Sequence, residues 1–297
     1  MFQFILDVLI RAADLALVAV GLSAVYALVK FPNVAHVQYA MLAAFMTHAG
    51  QKAGLAFPLA MLASCVLTGT CALVLNSLIF VRLLRSGPAI AMIGSLAVSM
   101  VISALVLGIA GSRPLRYAFD IAPPLELFGA RVSHAQIYSI AVAAGVLALF
   151  GFVLYATRIG RSMRALASNR ALAAATGIDS RRVSAVIAFT SGVFAAIGGT
   201  MLAMTSDIHV NLGTDLLLPV FAAAIIGGLG NPLGAAAGAL LIAVAETAVT
   251  NINFGWMVDK PLAFLPVTYI GAASFVFLLL ALLLRPYGIF DREVRRV

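Results

Sequence analysis

Four stretches of this chain, residues 54–81, 88–110, 183–205 and 262–284, contain no charged side chain. A helix of about 20 apolar residues crosses the hydrocarbon core of a bilayer, and each stretch reaches that length. Lipid offers the backbone no hydrogen-bond partner, so such runs cross as helices, which satisfy their own amides and carbonyls. Composition agrees, with 63% hydrophobic and 10% charged residues and a mean hydropathy of +1.09. The chain is therefore predicted to be an all-α, polytopic integral membrane protein. A soluble catalytic domain does not fit within 297 residues, because nearly everything outside the apolar runs is needed for loops.

Walking between charges places helices at 13–30, 35–50, 54–81, 88–110, 134–157, 183–205, 216–229, 233–250 and 262–284, nine crossings in all. Three are weaker. The segment 35–50 is short and carries His36, Gln38, Tyr39 and His48, while 216–229 and 233–250 are separated only by the turn GGLGNPLG. Short or interrupted helices persist in a membrane only where protein or a water-filled cavity covers them. Ahead of the first span, MFQFILDVLIRAAD is broken by Asp7, Arg11 and Asp14 and lacks a small-residue cleavage site. It is expected to be an interfacial lead-in, not a removable signal peptide. Cys65 and Cys71 lie in an apolar run with no His or carboxylate nearby and are expected to be packing residues.

Lys and Arg set orientation because they accumulate in cytoplasmic loops. With the N-terminus outside, thirteen of the nineteen fall on one side: Lys30, Arg82, Arg85, Arg158, Arg161, Arg164, Arg170, Arg181, Arg182, Arg285, Arg292, Arg295 and Arg296. That side, with the C-terminus, is expected to be the cytoplasm. The net charge of +8 is then mostly a topology signal with anionic lipid as its partner. Nucleic-acid binding has no support, since no soluble basic domain exists.

One loop departs from the rest. Residues 158–182 form a basic elbow, where two to eight residues suffice to join neighbouring helices. Residues 161–167 and 170–176 are rich in strong helix formers, and Ser168 or Asn169 can cap the second piece. Two short helices are expected. Gly177 stands where a left-handed C-terminal cap belongs, and Asp179 or Ser180 can cap the next span. Leu172, Ala175 and Thr176 share a face, leaving a small apolar ridge beside Arg170. A solvated, positively charged loop is the simpler alternative; the length argues for a docking element.

The polar residues in the weaker helices are candidates for a substrate pathway: Asn33, His36, Gln38, Tyr39, Glu246 and Asn251. Glu246 is read as the one carboxylate well inside an apolar run, and an intramembrane ionisable group is a functional candidate by default. Each has a plainer alternative. His36 can be a hydrogen-bonded core residue steadying the start of a helix, and Glu246 can satisfy donors on a neighbouring helix. The glycines Gly192, Gly227, Gly228, Gly230, Gly234 and Gly238 are assigned to helix packing, with Gly234 and Gly238 forming a Gly-x-x-x-Gly step. No catalytic or metal-binding constellation is expected.

The elbow TRIGRSMRALASNRALAAATGIDSRRV, the later FAAAIIGGLGNPLGAAAGALLIAVAE, the early PNVAHVQYAMLAA and the tail LLLRPYGIF, taken in order, resemble the LivH-type permease subunits of branched-chain amino acid ABC importers. The most specific positions are Gly160, Arg161, Arg164, Ala165, Gly177 and Ile178, with Gly227, Gly228, Gly230, Gly234 and Ala235. One departure stands in the family's Asn-Phe-Ala-His-Gly, where this chain has Val34 and Val37. The resemblance implies a single permease domain over 1–297 in a bacterial inner membrane. It implies a second, longer LivM-like permease, two cytoplasmic ATP-binding subunits and a periplasmic substrate-binding protein as partners. The cargo would be a small polar solute: a branched-chain or other amino acid, or a related amide or carboxylate. The elbow would be the coupling element, through Arg161, Arg164, Arg170, Leu172, Ala174, Gly177 and Ile178. No cofactor would bind this chain, and ATP and Mg would sit on the partner ATPases, in keeping with the absence of a Gly-x-x-x-x-Gly-Lys-Ser/Thr loop here. The rival is an ion-coupled secondary transporter or channel, disfavoured because ten of the eleven carboxylates are assigned to loops, tails or span ends.

Overall fold

The first span is longer than the charges suggest. In the computed structural model, which describes residues 2–119, 123–127, 129–253, 269–284 and 288–289, helix α1 runs unbroken over Phe2–Val29. Arg11 and Asp14 are therefore not in an interfacial lead-in. They lie within a helix, and Asp14 is buried. The correction has a tertiary cause, because each charge meets a partner on another helix. Arg11 pairs with Glu246, and Asp14 accepts from the Ser139 hydroxyl at 3.3 Å.

The remaining elements follow in chain order: α2 (His36–Lys52), α3 (Phe57–Leu75) running through a π-helical turn (Asn76–Phe80) into α4 (Val81–Leu84), and α5 (Pro88–Ala110). A short hairpin, β1 (Leu125–Leu127) and β2 (Ala130–Val132), precedes α6 (His134–Ala156). The elbow is α7 (Arg158–Ser168) and α8 (Arg170–Ala175). Then come α9 (Ser180–Thr205), α10 (Leu212–Asp215), α11 (Leu217–Ile226), α12 (Pro232–Asn251) and α13 (Ile270–Leu284). Among the described residues six helices are long and apolar enough to cross a membrane: α1, α3–α4, α5, α6, α9 and α12. The segment 233–250 is thus a full 20-residue helix. Those at 35–50 and 216–229 are shorter, and the expected span 262–284 lies partly outside the described residues. The hairpin qualifies the all-α expectation: Glu126 pairs across it with Arg131.

Burial ranks the helices. In α1 78% of the apolar window is buried and in α9 67%, against 28% in α5 and 22% in α6. Helices α1 and α9 thus form the centre, while α5 and α6 leave large apolar side chains such as Ile93, Ile109, Leu149 and Phe152 uncovered. Hydroxyls tie the centre together where hydrophobic association offers little, as expected between helices in lipid. Thr47 of α2 donates to Ser64 of α3 at 2.7 Å and lies 3.4 Å from Thr200 of α9.

Chain direction separates two ends. Helix α6 spans 23 residues, about 35 Å at 1.5 Å per residue, from the hairpin to the elbow. The N-terminal end of α1 is with the hairpin, since Arg131 N–H donates to Gln3 Oε1. Ile208, just past α9, bridges Leu115, just past α5, at the same end.

Candidate functional site

The backbone does not go straight from α1 into α2. It reverses at Lys30, which has φ +56°, and runs back into the bundle through residues 31–35. The ring of His36 reaches the Val18 carbonyl at 3.0 Å, a point in α1 roughly 16 Å from that helix's end at 1.5 Å per residue. Helix α2 thus begins inside the bundle. Irregular backbone at such depth needs internal partners, and side chains supply them. Ala35 N–H donates to Asn33 Oδ1 at 3.1 Å, and Val34 N–H to Ser95 Oγ at 3.0 Å.

His36 is fully committed. A carbonyl only accepts, so Nε2 carries the proton toward Val18, and Nδ1 accepts from Ser191 Oγ at 3.1 Å. The ring also packs edge-on against Tyr39, with centroids 5.9 Å apart. This geometry matches the steadying role for His36.

A second irregular stretch, residues 206–211, comes in from the hairpin end and leads into α10. The helices that follow the two inward-running stretches meet where Gln38 Nε2 of α2 approaches Thr214 Oγ1 of α10 at 3.4 Å. Gln38 is buried, and its Oε1 has no hydrogen-bond partner among the described residues. Beside this contact lies a cleft of about 450 Å³ whose polar lining includes Gln38, Ser99, Ser103, Asn211 and Thr214. Sequence reasoning missed the serines and Thr214. The signal was there: Ser95, Ser99 and Ser103 recur every four residues in an otherwise aliphatic span, one face of a helix.

The other two pathway candidates lie apart from this cluster. Glu246, 1% exposed, takes Arg11 Nε at 2.6 Å on Oε2 and the Ser274 hydroxyl on Oε1. It ties α12 to α1 and α13. Asn251 donates back to the Thr247 carbonyl at 2.9 Å, within α12. Asp14 is a second buried carboxylate within a span, so Glu246 is not alone there and the figure of ten carboxylates used against ion coupling is one too high.

The elbow matches its expected local chemistry. Asn169 Oδ1 caps α8 by accepting from Leu172 N–H at 3.0 Å. Gly177 adopts φ +84°, and Asp179 caps α9 through Arg181 and Arg182 N–H. Its residues divide into two groups. Arg164, though exposed, is engaged within the chain, donating to the Leu154 carbonyl and lying over the Tyr155 ring at 5.1 Å. Arg161, Arg170, Leu172, Ala174 and Gly177 are exposed, and Ile178 is half-buried. Leu172 is 64% exposed, an uncovered apolar side chain on a short helix otherwise rich in alanine.

The glycines also divide. A Cβ on Gly227 would strike Gly234 and Ala235 backbone, and one on Gly238 would strike the Ala223 carbonyl, so α11 and α12 touch backbone to backbone. Gly192 packs likewise on α3, where a Cβ would meet Ala72 and Gly69. Gly228 and Gly230 serve the turn instead, with φ +95° and +92°, and Gly230 N–H donates to Ser23 Oγ at 3.2 Å.

A helix that starts within a bundle of membrane-length helices, beside a polar cleft, is the architecture of a helical membrane protein with a polar site at its interior, as a permease requires. The chain belongs to the family described as the permease component of branched-chain amino acid transport systems, which it matches over residues 4–285. Three relatives illustrate the likeness. The high-affinity branched-chain amino acid transport system permease protein LivH of Escherichia coli K12 is 27% identical, over 95% of this chain and 93% of its own. BraD of Pseudomonas aeruginosa, with the same description, is 28% identical over the same shares. A probable LivH of Methanocaldococcus jannaschii is 26% identical over 93% and 88%. Among solved structures, a chain of PsaBC from Streptococcus pneumoniae in complex with Fab superposes with a TM-score of 0.53. It is 12% identical and covers 98% of this chain and 95% of that one, a likeness of fold alone. Membership makes this chain a non-catalytic membrane component of an ABC transporter.

Proposed function

We propose that this chain forms, with a homologous longer permease, the pathway by which an ABC importer of a bacterial inner membrane takes up a small polar solute. The solute class that the relatives' names favour is the branched-chain amino acids. A periplasmic binding protein would deliver it at the hairpin end. Two cytoplasmic subunits would hold and hydrolyse ATP with Mg at the elbow end, and the C-terminus would be cytoplasmic. In this reading the whole chain is one permease domain of about nine crossings, with residues 158–182 as its coupling loop.

The observation that carries the pathway is the cleft at Gln38 and Thr214. It offers a buried unpaired carbonyl oxygen, hydroxyls and an amide along an otherwise apolar wall, the balance by which a site orients a polar solute while excluding water. Gln38→Leu with Thr214→Val removes the Gln38 amide and the Thr214 hydroxyl at nearly constant volume. Transport into proteoliposomes is expected to fall about tenfold or more, as when a site's hydrogen-bonding groups are lost, with membrane insertion unchanged. Undiminished uptake would remove the cleft from the pathway.

The coupling role rests on the exposed face of α8. Packed helices shift as rigid bodies, so closure of ATPases against Leu172 and Ala174 would move α8 together with α9. Gly177→Pro forces φ to about −65° where the chain needs +84°, and Ala174→Glu adds a charge to the docking face. Either is expected to leave insertion intact and abolish solute-stimulated ATP hydrolysis. Full stimulation in reconstituted vesicles would contradict the assignment.

A further inference from the structure

Beside the elbow, on its α3 and α4 side, is a cavity of about 700 Å³ that lies apart from the pathway and shares only Arg170 with the coupling residues. Four guanidinium-bearing residues line it: Arg82 from α4, Arg85 just past its end, Arg170 from the start of α8 and Arg181 from the start of α9. No carboxylate lines it, and none of the four makes a salt bridge among the described residues. Asn76, in the π-helical turn, is only 7% exposed and lines the cavity. A π-helical turn within an α-helix often marks a functional position. The same α3–α4 helix adds apolar lining from Leu73, Leu78 and Val81.

Four like charges around one cavity repel one another unless an anion occupies it, and guanidinium groups bind phosphate oxygens in matched pairs of hydrogen bonds. The apolar wall says which anion. Leu67, Val74, Leu78 and Val81 recur at helical spacing along α3 and α4 and are 55%, 43%, 54% and 40% exposed. They form a stripe running from the cavity along the membrane-spanning helix. A free phosphate has no use for that stripe, whereas an acyl chain does.

We infer that this cavity binds the phosphate headgroup of an anionic phospholipid, with an acyl chain along Leu67, Val74, Leu78 and Val81, joining α4 to the elbow. Basic pockets between membrane helices bind anionic headgroups by this chemistry. The inference rests on the chain's membrane embedding and not on the ATPase reading, so either can fail alone.

The full-length protein, purified in neutral detergent, is offered mixed micelles of phosphatidylglycerol and phosphatidylcholine, and retained lipid is counted by native mass spectrometry before and after ATP-binding subunits are added. Arg82→Gln with Arg85→Gln is compared with Arg158→Gln plus Arg161→Gln, which removes equal charge from the same end but outside the cavity. The cavity pair is expected to weaken phosphatidylglycerol retention about 25-fold, from a factor of about five per guanidinium, while the control pair retains it. Both pairs keep the wild-type elution profile, because these arginines are solvent-exposed. Equal loss in both pairs would mean diffuse attraction to the membrane rim and overturn the inference, as would no loss in either. Displacement of the lipid by inorganic phosphate alone would assign the site to a free anion. Release of the lipid whenever the ATP-binding subunits join would assign it to an acidic segment of theirs. Either result would also overturn it.

Discussion

Arg11→Leu is expected to destabilise the folded chain by about 3–5 kcal/mol, the cost of leaving a buried carboxylate without its counter-charge. Glu246 has no route to water: it is 1% exposed, and its oxygens are held by Arg11 and by the Ser274 hydroxyl. In a bundle surrounded by lipid, the remaining charge cannot be rescued by a small rotation toward solvent. The double variant Arg11→Leu, Glu246→Leu should regain most of the loss, because replacing a buried pair by apolar residues of similar volume is close to neutral. Monodisperse protein remaining after graded heating in detergent, read by size exclusion, gives the ranking. If the double variant were as unstable as the single, the pairing would not be the source of the effect.

Gly238→Leu is expected to cost about 3 kcal/mol or more, the upper range for overpacking a filled interior. Any Cβ at this position would run into the Ala223 carbonyl and approach the Gly227 amide. Backbone is the obstacle, so no rotamer change relieves it; α11 and α12 must separate, and the van der Waals contacts that depend on their spacing go with them. Gly108→Leu in α5 is the control, since nothing lies within 4 Å of its would-be Cβ. The same heating assay should show Gly238→Leu lost to aggregation while Gly108→Leu behaves as wild type. Equal tolerance of both would mean that α11 and α12 do not pack this closely.

The elbow shows how much of a local structure can be read from residues alone. Asn169, Gly177 and Asp179 act within four residues of themselves, as two caps and a left-handed stop. Nothing distant is needed to place them. The same holds for the glycine turn between α11 and α12, where Gly228 and Gly230 take positive φ. The start of α1 shows the opposite. Asp7, Arg11 and Asp14 read as an interruption because the partners of Arg11 and Asp14, Glu246 on α12 and Ser139 on α6, lie more than a hundred residues away. A charge that looks costly in a one-dimensional pattern is acceptable once another helix pairs or hydrogen-bonds it.

By itself the sequence determined the medium, most of the apolar helices and the caps of the elbow, because hydrophobic run length and capping are properties of contiguous residues. Its motifs also pointed to the right family. Only the tertiary structure decided which polar residues do what. It joined Glu246 to Arg11, spent His36 on Val18 and Ser191, and brought Gln38 to Thr214 across 176 positions. A hydrogen-bonding group inside a membrane protein takes its role from whichever helix faces it, and that neighbour is set by packing in three dimensions.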